Sequence, residues 1–218
     1  MKIEEDVTLL VMSSVEYDSH IEALNKSMSG IEYAEVVFAS PDKPKNLPDN
    51  ITWKKSKRYS SIDEWNYGCI YDMHQFVDTS HCLYIHADSW VLNPEQWDNE
   101  WLKYDYIGAP WAYSNTAYID PFGNHQRVGN GGFSLRSKKL LEVPLKAEIP
   151  FDVNQGTFYK HMNVGLFNED GNICVHNRHI YEEHGCVFAP VEVAAHFSHE
   201  HQVPETENIV PFGFHTVD

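Results

Sequence analysis

Residues 81–88, HCLYIHAD, constrain this chain more than any other stretch. An apolar, β-prone run there ends on a histidine, an alanine and an aspartate. A carboxylate in such a place must be solvated, paired or bound to a cation. Upstream, TLLVMSSV (8–15) and YAEVVFAS (33–40) read as buried strands and ITWKKS (51–56) as a further one. After the first strand, Ser19 and Glu22 form a candidate capping box, Ile21, Leu24 and Met28 share a helical face, and Gly30 is the stop signal. Ser61 and Glu64 form a second candidate box, heading a helix in which Ile62, Trp65, Cys69, Met73 and Phe76 recur at spacings of three and four. The order β-α-β-β-α-β predicts an α/β fold with a mostly parallel sheet flanked by helices. Ligands in such sheets sit beyond the carboxyl ends of the strands, where Ser13, Ser14 and Asp88 fall.

The second half differs. It is rich in Trp, Tyr, Gly, Asn and His, and its elements are shorter. WLKYDYIGAPW (101–111) and GGFSLRS (131–137) read as strands, residues 138–143 as a short helix and 170–184 as a longer one. No repeat or linker divides the chain. The expectation is one domain over 1–218, with a nucleotide-type half (1–95) and a site-building half (96–218).

Charge narrows the partners. Sixteen basic residues face 32 acidic ones, a net charge of −16. Such a surface repels nucleic acid and anionic membranes, so neither is expected as a partner. An anionic substrate needs a metal ion or a local basic cluster to overcome that field. The four cysteines, Cys69, Cys82, Cys174 and Cys186, contain no C-x-x-C pair and read as reduced, buried thiols of an intracellular, cytoplasmic protein. The N-terminal MKIEED is too acidic for a signal peptide, and no run is long enough to span a bilayer.

Several groups suggest chemistry, each with a plainer alternative. His86 and Asp88, two apart on a strand, would share a face. They are either a hydrogen-bonded pair or part of a site where Mg²⁺ or Mn²⁺ joins a carboxylate to a diphosphate. Asn130-Gly131-Gly132 is either a hairpin turn or a loop whose glycines admit a substrate ring to the backbone. Glu169 and Asp170 are either a solvated helix start or the source of a general base. Lys54-Lys55-Ser56-Lys57-Arg58 is either a solvated face or, best for Arg58, a phosphate contact. The histidines of HFSHEH (196–201) fit no common zinc spacing. Trp111 is a core residue or a platform for a sugar ring.

Taken in order, HAD at 86–88, YDYIGAPW, VGNGGFSLRS, NED at 168–170 and a late FGFH resemble a family of small bacterial and viral GT-A glycosyltransferases. The resemblance covers most of the chain from about Ser60 onward, and it includes the glycosyltransferase domain of a multidomain protein of large algal viruses. It implies a UDP-sugar donor, a glycan acceptor and Mn²⁺ or Mg²⁺, with the second half as the acceptor and catalytic half and host cytoplasm as the location if the chain is viral. Further domains of a longer polypeptide are compatible with it. The family's Asp-x-Asp motif falls on His86-Ala87-Asp88, so Asp88 is the implied metal ligand and His86 departs from the pattern at the ribose contact. His215 is implied as a second ligand and Asp170, beside Glu169, as the base of an inverting transfer. Ser13, Ser14 and Val15 would border the nucleobase, Arg58 its phosphates, and Asn130–Gly132 the donor sugar. The sugar itself stays open among glucose, galactose and L-rhamnose. A retaining transferase, a non-catalytic sugar-binding module and a His-rich zinc hydrolase remain as rival readings.

Overall fold

A computed structural model describes residues 7–151 and 168–215; MKIEED lies outside them. Among the described residues the central sheet has six strands. Four come first in the chain: β1 (Val7–Met12), β2 (Glu35–Ser40), β3 (Thr52–Lys55) and β4 (His81–Ile85). All four run parallel, in the spatial order β3-β2-β1-β4. The sheet continues through β9 (Phe133–Ser137) to β6 (Tyr106–Ile107), both paired antiparallel. The second half therefore completes the sheet that the first half begins.

Period-two alternation builds two cores. On β1, Leu10 and Met12 face one apolar layer while Val7, Leu9 and Val11 face the other. On β4, Cys82 and Tyr84 oppose Leu83 and Ile85 in the same way. These strands are buried on both faces, which explains their near-continuous apolar runs. Each fully buried Leu or Val contributes about 1.5–3 kcal/mol. All four cysteines are free and buried. No helix among the described residues is long and apolar enough to cross a membrane.

The helices depart from expectation in detail. α1 (Tyr17–Ser27) starts earlier than the expected box: Glu16 stands before it in left-handed backbone at φ 51, so Ser19 lies within the first turns and cannot cap. Its far end is followed by Gly30 at φ +85. α2 (Ile62–Tyr67) is capped by Ser61, whose hydroxyl accepts from the N–H of Glu64. The Glu64 carboxylate reaches the N–H of Ser60 instead of closing the box on Ser61. The helical path then continues as a π turn (Gly68–Asp72) and a 3₁₀ turn (Met73–Phe76). α3 (Lys138–Lys146) runs past the expected end. Residues 170–184 are not one helix: α4 (Glu169–Gly171), a π turn (Asn172–His176) and α5 (Arg178–Glu183) succeed each other, broken at Asn177. WLKYDYIGAPW is not one strand either. A 3₁₀ turn (Asn99–Lys103) precedes β6, and β7 (Ala109–Pro110) leaves the main sheet to pair with β8 (Val128–Gly129). The kink sits at Gly108, where a Cβ would stand 1.5 Å from the carbonyl oxygen of Gly129.

Candidate functional site

In the order β3-β2-β1-β4, the chain fills one side of β1 and then returns to the other. The carboxyl ends of β1 and β4 flank this switch point, where a crevice forms of necessity. A cleft of about 590 Å³ lies there, lined by Ser13, Ser14 and Val15 after β1, by Trp65 of α2, and by His86, Ala87 and Asp88 after β4. Val15 and Arg58 also border an adjoining outer cavity of about 900 Å³. The Ser13 hydroxyl donates to the carbonyl of Val15 at 2.6 Å, and that of Ser14 accepts from the N–H of Tyr59 at 2.9 Å. These side chains shape the loop and leave its outer face, with Val15 exposed, to the cleft.

The strand ends at Ile85, so His86-Ala87-Asp88 is a turn and not its last residues. His86 and Asp88 still converge, because a small second sheet gathers the site. β5 (Ser89–Val91) pairs antiparallel with β11 (Gly213–His215), setting His215 opposite Ser89. His86, Asp88 and His215 each offer a ligand atom, all within 4.8 Å of one another. The Nε2 of His215 is 3.4 Å from Asp88. Burial opposes charge on this imidazole, but hydrogen bonds to Asp88 and Glu200 outweigh it and raise its pKa to about 9. The same bond from His215 holds the Asp88 carboxyl below its usual range, against a desolvation cost. His86 is the reverse case: burial and the nearby His215 charge press its pKa down to about 3. Its ring packs edge-on against Trp65, Tyr84 and His215, and its Nε2 is buried with no hydrogen-bond partner among the described residues.

That orphaned nitrogen bears on the metal question. Two imidazoles and one carboxylate within 4.8 Å form a donor set suited to a divalent transition metal. Of the two expected ions, Mn²⁺ suits it better than Mg²⁺, which prefers an all-oxygen shell.

Protein side chains approach the glycine loop closely. A Cβ on Gly131 would fall 1.8 Å from a Glu169 carboxylate oxygen, and one on Gly132 would fall 2.4 Å from Nε2 of His215. These glycines are bare so that protein side chains can close on the backbone. Asn130 turns the chain at φ 68 and its side chain accepts from the N–H of Gly132 at 2.9 Å. The N–H of Gly131 donates to Asp170 at 3.2 Å, so adjacent residues of one loop touch the acid and the histidine.

The two acids of the pair are separated in character. Glu169 is buried and bound to the guanidinium of Arg136 at 2.9 Å. Arg136, wholly buried on β9, lies between the rings of Tyr84 and Tyr106 and also donates to Ser134 and the carbonyl of Gly131. Among the described residues Asp170 has no such cation. Burial, then the charges of Glu169 and Glu200, push its pKa up to about 7, against hydrogen bonds from the N–H groups of Gly171 and Gly131. A carboxyl raised to about 7 can exchange a proton near neutrality.

The basic run is largely neutralised: Lys54 pairs with Glu35 and Asp78, Lys57 with Asp72, and Arg58 with Asp42. Trp111 is a core residue, buried and stacked on Tyr118 with ring centroids 4.4 Å apart.

Sequence similarity reaches one family. Residues 52–215 match the family described as "Protein of unknown function (DUF5672)". The chain belongs to the DUF5672 family. The match spans β3 to β11, and so includes His86, Asp88, Asp170 and His215. No curated protein matches this DUF5672 chain. Among solved structures it is similar to galactosyltransferase LgtC in complex with donor and acceptor sugar analogs, with a TM-score of 0.52 at 10% identity, covering 100% of this chain and 87% of that one. An active-site mutant of LgtC gives 0.54 at 11% identity, covering 100% and 88%. At such identity the likeness speaks to the fold, which is of the GT-A type.

Proposed function

We propose that this chain is a glycosyltransferase that moves a sugar from a UDP-sugar donor to a glycan hydroxyl, with inversion at the anomeric carbon. The observation that carries the proposal is the cluster of His86, Asp88 and His215 at the switch-point cleft. In a protein of net charge −16, a diphosphate needs a cation to approach such acidic surroundings. Asp88 and His215, with the free Nε2 of His86 as a third donor, would hold Mn²⁺, which supplies positive charge to a departing nucleoside diphosphate. The loop Ser13–Val15 borders the nucleobase and Arg58 stands at the outer rim. Asp170 takes the proton of the acceptor hydroxyl as that oxygen attacks the anomeric carbon and the bond to the diphosphate breaks. One displacement of this kind inverts the configuration. Glu169, next to Asp170 in the chain, is tied to Arg136.

Thermal unfolding with UDP, with Mn²⁺ and with both tests the reading. A ligand that binds only the folded state raises the midpoint by mass action. UDP is expected to stabilise only when Mn²⁺ is present, and Asp88→Asn to remove the effect. No response to UDP with or without metal would sink the proposal, and stabilisation by free sugars alone would favour a binding module. Zinc bound without any response to UDP would favour a hydrolase, which the two-histidine donor set also accommodates.

Gly132→Ala gives a second check. The added methyl cannot occupy the space of the His215 ring, so the ring must move from Asp88. Mn²⁺-dependent stabilisation by UDP is expected to disappear while the fold, read by circular dichroism, persists.

A further inference from the structure

We propose that Glu200 is a positioning residue for the metal centre, accepting the Nδ1–H of His215 and so turning Nε2 towards the ion. The inference rests on the metal-dependent reading above. Its basis is the two-sided setting of one ring: Nδ1 lies 3.4 Å from a Glu200 carboxylate oxygen, while Nε2 lies 3.4 Å from Asp88 on the cluster side.

The backbone brings Glu200 there. The helix α6 (Val191–Phe197) hands directly to β10 (Ser198–His199), which pairs parallel with β11, Ser198 opposite Gly213 and His199 opposite Phe214. Glu200 is the next residue, and it arrives beside His215, the next residue on the partner strand. Its side chain is 11% exposed, and its second carboxylate oxygen is buried with no partner among the described residues. A carboxylate is costly to desolvate, so its retention here calls for a cation or a donor, and His215 is that donor.

The chemical consequence follows from the imidazole. Each neutral ring carries one N–H and one lone pair. When an ion takes the place of the Nε2 proton that Asp88 accepts, Glu200 keeps the remaining proton on Nδ1, and the lone pair on Nε2 faces the cluster. A carboxylate on the far nitrogen also makes the ligand nitrogen more basic, and losing such an outer partner typically weakens a metal site about 10- to 100-fold.

The test is the Mn²⁺ affinity of the full chain without nucleotide or acceptor, by titration calorimetry. Glu200→Ala is expected to bind about 10- to 100-fold more weakly than the unaltered chain. Glu200→Gln, whose amide oxygen still accepts from Nδ1, is expected to lose less. Wild-type affinity in Glu200→Ala would overturn the assignment while the metal-dependent reading stands; no Mn²⁺ binding by the unaltered chain would overturn both. If the alanine variant does not fold, long-range ¹H–¹⁵N spectra of the unaltered chain with Zn²⁺ as a diamagnetic probe decide instead. Coordination through Nε2 with a proton on Nδ1 supports the role, and coordination through Nδ1 overturns it.

Discussion

Asp170→Asn is expected to lower turnover by about 10²- to 10⁴-fold, the range for loss of a positioned general base, with UDP affinity unchanged. The N–H groups of Gly131 and Gly171 bond to different carboxylate oxygens, so the amide oxygen keeps one of the two bonds and the other is lost. What disappears is a proton acceptor raised to about 7 by burial and by the charges of Glu169 and Glu200. Because the base must be ionised, kcat/KM in the parent should fall as pH drops below about 7. Stability should run the other way. A carboxyl whose pKa is higher folded than unfolded binds protons preferentially in the folded state between its ordinary value of 3.8 and about 7. Stability therefore declines as pH rises through that window, and the asparagine variant should lose this part of the decline. Initial rates, nucleotide titration and melting curves across pH check the three parts. Equal loss of UDP binding and turnover would remove Asp170 from the role of base.

Glu169→Ala is expected to cost about 3–5 kcal/mol of folding stability, because it strands a guanidinium that has no access to water. The charge of Arg136 is surrounded by Tyr84, Tyr106, Ser134 and the carbonyl of Gly131, none of which is anionic at neutral pH. Replacing both members with apolar residues of similar volume, Arg136→Met with Glu169→Leu, should recover much of the loss, since no ion then remains to be desolvated. Urea unfolding of the two single variants and the double variant measures this. A double variant as unstable as the sum of the singles would show that the pair has no energetic coupling.

Legibility in the sequence followed the strength of each physical signal. β1, β2 and β4 were readable because burial on both faces demands apolar runs, as in Val7–Met12 and His81–Ile85. The helix after Ser61 was readable from its cap and its spacing. β6 and β7 were not, since two-residue strands carry no periodicity and Gly108 bends the chain between them. The start of α1 was misjudged because an unusual left-handed residue, Glu16, replaces the polar cap that sequence rules seek. In the site, His86 and Asp88 stood out in the residues and His215 through the family resemblance; the glycines read as a turn or as room for a ligand, and the close approach of Glu169 and His215 to them carried no sequence signal. Glu200 was passed over inside a histidine-rich run that matched no zinc spacing. Arg136 was missed altogether, although an arginine amid the apolar residues of FSLRS was a usable sign: a buried-strand cation requires a counter-charge.

The pairing of β5 with β11 also orders events in time. During synthesis the residues of the 86–88 turn emerge long before His215, which joins them only once the late strand has docked beside Ser89. An ion cannot nucleate folding through a ligand set that is still incomplete. On the metal-dependent reading proposed above, the scaffold would close first and the ion load afterwards, so chelators should silence the assembled protein without unfolding it, unlike a zinc finger, whose fold is lost with its metal.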